Sequence, residues 1–499
     1  MKNVILSAAA LFCGAVMFGQ VGGAPEADSQ TNVINQSANA DANKGESEQY
    51  GDHQRVRVRQ AGTQQSVFTL QANGDGIGGN QANILQSGSV GPLSGRKNDA
   101  EVYQFGSLNS SRTIQEGNRN NAITEQGMED AASSGNSAFV RQGDGGNAED
   151  NFAAVEQDGI DNQAITIQVG DNNDAWTNQE GNDLRSRIEQ NGSPEDTEGH
   201  WALVNQYDNN NESWIKQEGD GARNYAEVLQ AGDDNYADQY QDTDATTGDA
   251  NSAFIRQGRF GFANTELGFD SGIANLESKV FNLDDNVLPT SSYSQGAKAF
   301  QDQVGDENQA IILQHGELAG NPPVGNYADQ DQLGDNNDAH IIQNAWGNPA
   351  GGGNKAKQFQ DGDNNEAGIS QDGTGHKAFQ SQLGDSNEAI SSQRGLMNKA
   401  FTYQNGDDNY VTTAQRGQMN KIVVSQYGGQ SYVAQQNVPG ALTAGVGMPF
   451  GNNQIDVIQM GPGGTVDGVA AACLLPMDEM QTWRNLPSLD LPDICVDCD

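Results

Sequence analysis

Residues 398–428 read NKAFTYQNGDDNYVTTAQRGQMNKIVVSQYG. Cut after every eleventh residue, the stretch gives NKAFTYQNGDD, NYVTTAQRGQM and NKIVVSQYG. Each copy has Asn first, a small or β-branched residue third, Gln seventh and Gly ninth. Positions 1, 3, 5 and 7 are the constrained ones. A spacing of two is the period of a strand, whereas a helix needs spacings of three and four. Positions 2, 4 and 6 vary and carry much of the charge, as at Lys399, Glu388 and Arg256. One face of each strand is therefore expected to point inward and the other to meet solvent. Gly with Asp or Asn then supplies a tight turn.

The unit spreads outward from this run. The glycines Gly384, Gly395, Gly406, Gly417 and Gly428 keep the eleven-residue interval, as do Gln382, Gln393, Gln404, Gln415 and Gln426. Asn387, Asn398, Asn409 and Asn420 follow the same interval, and the third position runs Ala389, Ala400, Val411, Ile422, Val433. Upstream, Gln303, Asn308 and Gln314, then Gln332, Asn337 and Gln343, repeat the pattern. Position 5 is often β-branched, as at Val228, Ile255, Ile312, Ile341 and Thr413. Turns alternate between an Asp-bearing form (GDSN 384–387, GDDN 406–409) and one without Asp (GLMN 395–398, GQMN 417–420). The structural period is thus 22 residues, two short strands and two unlike turns. Fixed-period self-similarity signals a stacked architecture. The expected fold is an all-β solenoid of about 14 coils, roughly 4.8 Å apart.

That reading resolves a composition that would otherwise suggest disorder. Of 499 residues, 35% are hydrophobic, 7% aromatic and 62 are Gly. Few large apolar side chains are left to build an ordinary core. Stacking like coils puts Asn over Asn and Gln over Gln. An amide both donates and accepts, so each can bond its copies above and below. Buried amides in such columns are satisfied rather than costly.

The motif Q-x-G-x-x-N-x-A-x-x-x-Q resembles the repeat of curlins, the subunits of curli fibres on bacterial surfaces. It stands here as QVGDENQAIILQ (303–314), QLGDNNDAHIIQ (332–343), QDGDNNEAGISQ (360–371) and QLGDSNEAISSQ (382–393). The resemblance covers most of residues 49–436. It implies secretion across an outer membrane, self-assembly into a cross-β fibre, and roles in adhesion and biofilm matrix. A secretion pore and a nucleator subunit are the partners it implies. The rival reading is a soluble, capped solenoid adhesin whose outward strand face holds polysaccharide, ice or another cell. Asn is commoner here at the opening position than the Ser usual in curlins.

The division of the chain follows the pattern. Residues 1–23, with Lys2 and the apolar run 4–18, read as an export signal. Residues 24–48 read as a polar leader, 49–258 and 295–436 as two repeat blocks, 259–294 as a non-repeat insertion, and 437–499 as a cap or tail. No later segment is apolar enough to suggest stable membrane insertion.

Net charge is −41, from 67 acidic and 26 basic side chains, so phosphate backbones are repelled and nucleic acid is not an expected partner. Asp306, Asp335, Asp363, Asp385 and Asp407 follow turn glycines. In stacked coils they would lie about 5 Å apart, as gatekeepers that slow premature association or, less favoured, as a Ca²⁺ site. Cys473, Cys495 and Cys498 are candidates for a disulfide in an exported chain. The CxxC at 495–498 is flanked by Asp, which disfavours a redox thiolate. The five histidines are scattered, and the default for each is a polar residue on a strand surface. No nucleotide-binding, nucleophile-elbow or metal-pair pattern is present, so neither catalysis nor a cofactor is expected.

Overall fold

A computed structural model describes residues 31–36, 43–73, 78–88, 98–128, 133–143, 148–192, 199–219, 223–243, 251–258, 294–316, 325–345, 353–436 and 452–460. The regular elements among them are all strands, and successive strands alternate between two parallel sheets. In the run quoted above, Lys377–Leu383, Lys399–Asn405 and Lys421–Tyr427 lie side by side in sheet one. Glu388–Leu396 and Tyr410–Gln418 do so in sheet two. The register sets Gln382 beside Gln404 and Gln404 beside Gln426. Parallel pairing of like residues one coil apart is the mark of a β-solenoid.

Sheet one holds 16 strands, one per coil, against the expected 14 or so. The excess comes from the ends. Thr31–Gln36 and Gln454–Met460 pair onto sheet one, and Lys44–Tyr50 onto sheet two, beyond the repeat read at 49–436. Pairing is also continuous across the insertion. Tyr236–Asp242 pairs with Lys298–Val304, and Ser252–Gln257 with Gln309–His315. The export signal, the three candidate disulfide cysteines and 259–293 lie outside the described residues.

The interior is narrow. Ala at position 3 is buried in coil after coil, as at Ala226, Ala299, Ala310 and Ala400, and its small side chain lets the sheets approach. Position 5 of sheet two stacks Val228, Ile255, Ile312, Ile341 and Ile369, all fully buried. Each buried Ile contributes roughly 2 kcal/mol. The third-position series fails at its end. The turn Gly428–Gln430 is one residue short, so Tyr432 takes the register of Val411 and Val433 faces outward, 54% exposed.

Turn glycines adopt the left-handed region: Gly384 φ 107°, Gly395 φ 114°, Gly406 φ 93°, Gly417 φ 112° and Gly428 φ 68°. The sequence reading missed a second left-handed residue, the one just before each strand-leading Asn. Asn336, Asn364 and Asp408 suit that conformation. Met397 (φ 53°) and Met419 (φ 52°) adopt it without such help. At Gly373 (φ 127°) an added Cβ would lie 1.9 Å from the Gly395 carbonyl oxygen, whereas at Gly428 it would meet nothing within 4 Å. Gly373→Ala is expected to lower stability by about 2 kcal/mol and Gly428→Ala by about 1 kcal/mol, compared in urea titrations.

The outward face departs from expectation over the second half. Upstream, outward positions are largely half-exposed, as in Arg55–Ala61 and Glu212–Glu218. From the coil at 236–257 onward many are buried: Phe254, Phe300, Ile311, Ile390 and Phe401. Position 4 is apolar at these strands, so the reading of one wet face holds best for the first half.

Candidate functional site

The glutamines at position 7 form two continuous columns. In sheet one, Gln303 Nε2 donates to Gln332 Oε1 (2.9 Å), and the chain of bonds continues through Gln360, Gln382 (2.9 Å), Gln404 (3.0 Å) and Gln426 (2.9 Å). In sheet two it runs Gln314, Gln343, Gln371, Gln393, Gln415 and Gln436, at 2.8–3.0 Å. An amide nitrogen has two hydrogens, and the second crosses the interior. Gln404 Nε2 donates to the Glu388 carbonyl (3.0 Å), and Gln415 Nε2 to the Lys399 carbonyl (3.0 Å). One side chain thus fixes both coil spacing and sheet spacing.

The asparagines work differently at the two edges. Where sheet one hands over to sheet two, the Asn387 side-chain oxygen accepts the Asn409 backbone N–H (3.1 Å) and side-chain N–H (2.9 Å). Asn308 accepts the same pair from Asn337 (3.0 and 3.1 Å). At the return edge Asn398 accepts the Asn420 backbone N–H (3.0 Å), while its own amide donates to the carbonyls of Arg394 (3.0 Å) and Gly417 (3.1 Å). There the Asn398 amide satisfies two turn carbonyls, whereas Asn235 and Asn453 in the same column donate to their copies Asn211 (3.0 Å) and Asn420 (3.2 Å).

Histidine enters this return-edge column at position 376. Nδ1 accepts the Asn398 N–H (3.2 Å), and Nε2 lies 3.1 Å from the Asp372 carbonyl, to which it must donate. The ring is a neutral stand-in for Asn with its proton on Nε2. Burial pushes it down to about 4, although its backbone hydrogen bonds oppose this. His200 makes the same substitution in the handover-edge column, accepting from Asn224 (3.3 Å). His315 and His340 are buried too, pushed down to about 4 and about 3 by burial first. The surface reading of the histidines therefore holds for His53 and fails for these four. Each occupies a column position or an outward face that is itself covered.

The turn aspartates share the handover edge. Asp407 accepts the Asp385 N–H (3.0 Å), Asp385 that of Asp363 (3.0 Å), Asp363 that of Asp335 (2.9 Å), and Asp335 that of Asp306 (2.9 Å). Each carboxylate thus caps a backbone donor one coil away. Asp306 is buried and the other four are exposed. Among the described residues no group of three or more His, Cys, Asp or Glu is placed to hold a metal ion.

Sequence reasoning missed a further glutamine column. At position 5 of sheet one, Gln239 donates to Gln301 (2.8 Å), Gln301 to Gln330 (2.9 Å), Gln330 to Gln358 (2.8 Å) and Gln358 to Gln380 (2.9 Å). The signal was present as Q-x-Q at 239–241, 301–303, 330–332, 358–360 and 380–382. Across these coils sheet one carries two parallel amide ladders.

Residues 362–395 match the family model described as curlin associated repeat. Residues 362–395 thus carry a curlin-type repeat, and the bonding just described recurs well beyond the matched segment. No curated protein matches the chain. Repeat and fold together fit a structural, adhesin-like extracellular protein rather than a catalyst. Among the described residues no helix is long and apolar enough to cross a membrane.

Proposed function

We propose that the protein is a structural subunit of a curli-like extracellular amyloid fibre, growing by cross-β addition at its ends. The observation that carries this reading is the pair of ladders running unbroken to the terminal coils. Gln426 still donates onward to Gln459 (2.9 Å) in Gln454–Met460, and Gln49 to Gln71 (2.9 Å) at the other end. Among the described residues the terminal strands pair on one side only, and an edge that repeats the chain's own register is a template for another copy. Fresh protein held at neutral pH should form fibres after a lag that preformed fibres abolish, with a reflection near 4.8 Å. A species that stays monomeric by light scattering over days, seeded or not, sinks the reading. Outer-membrane export, a nucleator and a biofilm role belong to the same proposal.

The aspartate column sets the pace of assembly in this reading. Asp363→Asn with Asp385→Asn keeps the side-chain acceptor but removes two stacked charges. The lag is expected to shorten several-fold at low salt and little at high salt, where screening already masks the charges. Equal lags at low salt would dissociate the column from gatekeeping.

A second reading, adhesion through the outward face, draws on a row of aromatics on sheet two. Phe152, Trp176, Trp201 and Tyr225 follow one another at centroid distances of 5.3, 5.7 and 6.4 Å. Half-exposed rings in a row suit the apolar faces of sugars. Tryptophan fluorescence during polysaccharide titration tests it, with Trp176→Ala expected to remove any response.

A further inference from the structure

The two edges of the second half carry opposite charge. At the handover edge Asp363, Asp385 and Asp407 stand in a column, with Glu366 and Glu388 paired in register beside them. Between Lys298 and Tyr427 the described residues of that edge include no Lys or Arg. At the return edge Lys355, Lys377, Lys399 and Lys421 stack in register on four successive strands of sheet one. Arg394 and Arg416 stack beside them on sheet two. The only acid on that edge among the described residues is Asp372, whose carboxylate lies 3.3 Å from Arg394.

Stacked ammonium groups about 4.8 Å apart repel one another. The chain has only 26 cationic side chains against 67 anionic ones, yet six of them stand together here. Lys399 is exposed and Lys377 and Lys421 half-exposed, and none of the three makes an ion pair among the described residues. Burial, then the neighbouring Lys377 and Lys298, lowers the affinity of Lys355 for its proton. Such a column calls for an anionic partner with charges at a similar interval. The acidic edge of a second copy has that interval by construction, because both columns advance one step per coil.

We propose that these edges join copies side by side: the acidic edge of one solenoid lies along the lysine edge of the next, axes parallel. The contact is heterologous and leaves a free edge of each kind, so it extends into ribbons of solenoids. It is distinct from end-to-end growth and stands or falls separately from the fibre reading.

The test uses full-length protein and two triple variants whose changes avoid the amide ladders. One is Lys377→Glu, Lys399→Glu, Lys421→Glu; the other is Glu366→Lys, Glu388→Lys and Asp361→Lys, the last an exposed residue ending the strand Lys355–Asp361 at the handover edge. Fibre or particle width by electron microscopy, and sedimentation at low salt, read lateral association, while circular dichroism checks the fold. Each variant alone should lose lateral association at least tenfold, and the two mixed should recover it, because one variant then carries two acidic edges and the other two basic ones. Wild-type association should weaken steeply with salt. The proposal is overturned if both variants associate like wild type, or if the mixture fails to recover. It is also overturned if the lysine edge binds a uronic-acid polysaccharide while widths stay unchanged. A further overturning result is association that appears only after removal of the acidic residues 461–499, since the chain's own end would then be the occupant. Thioflavin binding and fibre length report the end-to-end reaction independently.

Discussion

Replacing Gln404 by Leu is expected to destabilise the protein by about 4 kcal/mol. Three partners lose their bonds. Gln382 Nε2 loses an acceptor at 3.0 Å, Gln426 Oε1 a donor at 2.9 Å, and the Glu388 carbonyl a donor at 3.0 Å. Gln382 and Gln426 are fully buried and Glu388 is half-buried, and each buried unsatisfied group costs about 1–3 kcal/mol. Leu recovers part of this through its methyl groups. Gln404→Glu should be worse, since a carboxylate offers acceptors where Gln426 and Glu388 require donors. Gln49→Leu is the control. Its amide donates to Gln71 in a half-exposed terminal strand, and its loss should be below about 1 kcal/mol. Denaturant titration gives the totals. Hydrogen exchange gives the location: because coils touch only their neighbours, protection should fall in the coils flanking Gln404 and persist near Gln190. A Gln404→Leu protein as stable as wild type would show that the ladder adds nothing to coil stacking.

What the sequence made legible was what recurs. Asn, Ala, Gln and Gly at fixed intervals gave strands, turns, sheet pairing and the interior columns, because stacking forces like residues into one environment. Two features escaped because they do not recur strictly. Position 4 reads Phe300, Asp329, Lys357, Phe379 and Phe401 along sheet one, which looks like free variation. In the structure Asp329 is buried and held by Lys357 at 3.1 Å, a local charge solution inside an otherwise apolar outer face. The second glutamine ladder was hidden for the opposite reason. It occupies a position where β-branched residues dominate elsewhere, and it is confined to sheet one between Gln239 and Gln380. The different tasks of the Asn columns could not be read at all. Both edges present the same Asn, and its local surroundings decide whether its amide meets another Asn, a carbonyl or, as at Asn337, both.

The histidine in the Asn column leads to an acid prediction. His376 is neutral in the fold and takes its proton near pH 4, against about 6.5 when unfolded. Above pH 6.5 neither state is protonated and the ring stabilises fully. As pH falls from 6.5 towards 4 the unfolded chain binds a proton that the folded chain does not, so stability is lost over that window. The loss levels off below pH 4, once the folded ring is protonated as well. Its size is on the order of 3 kcal/mol for this residue. Protonation of Nδ1 would set a donor against the Asn398 N–H, which is why the fold resists it. Other groups titrate in the same window, among them His315, His340 and the acidic side chains, so wild type alone cannot isolate the effect. His376→Asn can. Asn offers the acceptor and donor that most other coils of that edge use, for example Asn354 accepting the His376 N–H at 3.0 Å. The variant should match wild type within about 1 kcal/mol at pH 7.5 and exceed it by about 3 kcal/mol at pH 4, in parallel urea titrations. His376→Gln, one methylene longer, should not reproduce the gain. If wild type and His376→Asn lose stability in parallel from pH 7.5 to 4, the ring is not held neutral by the column.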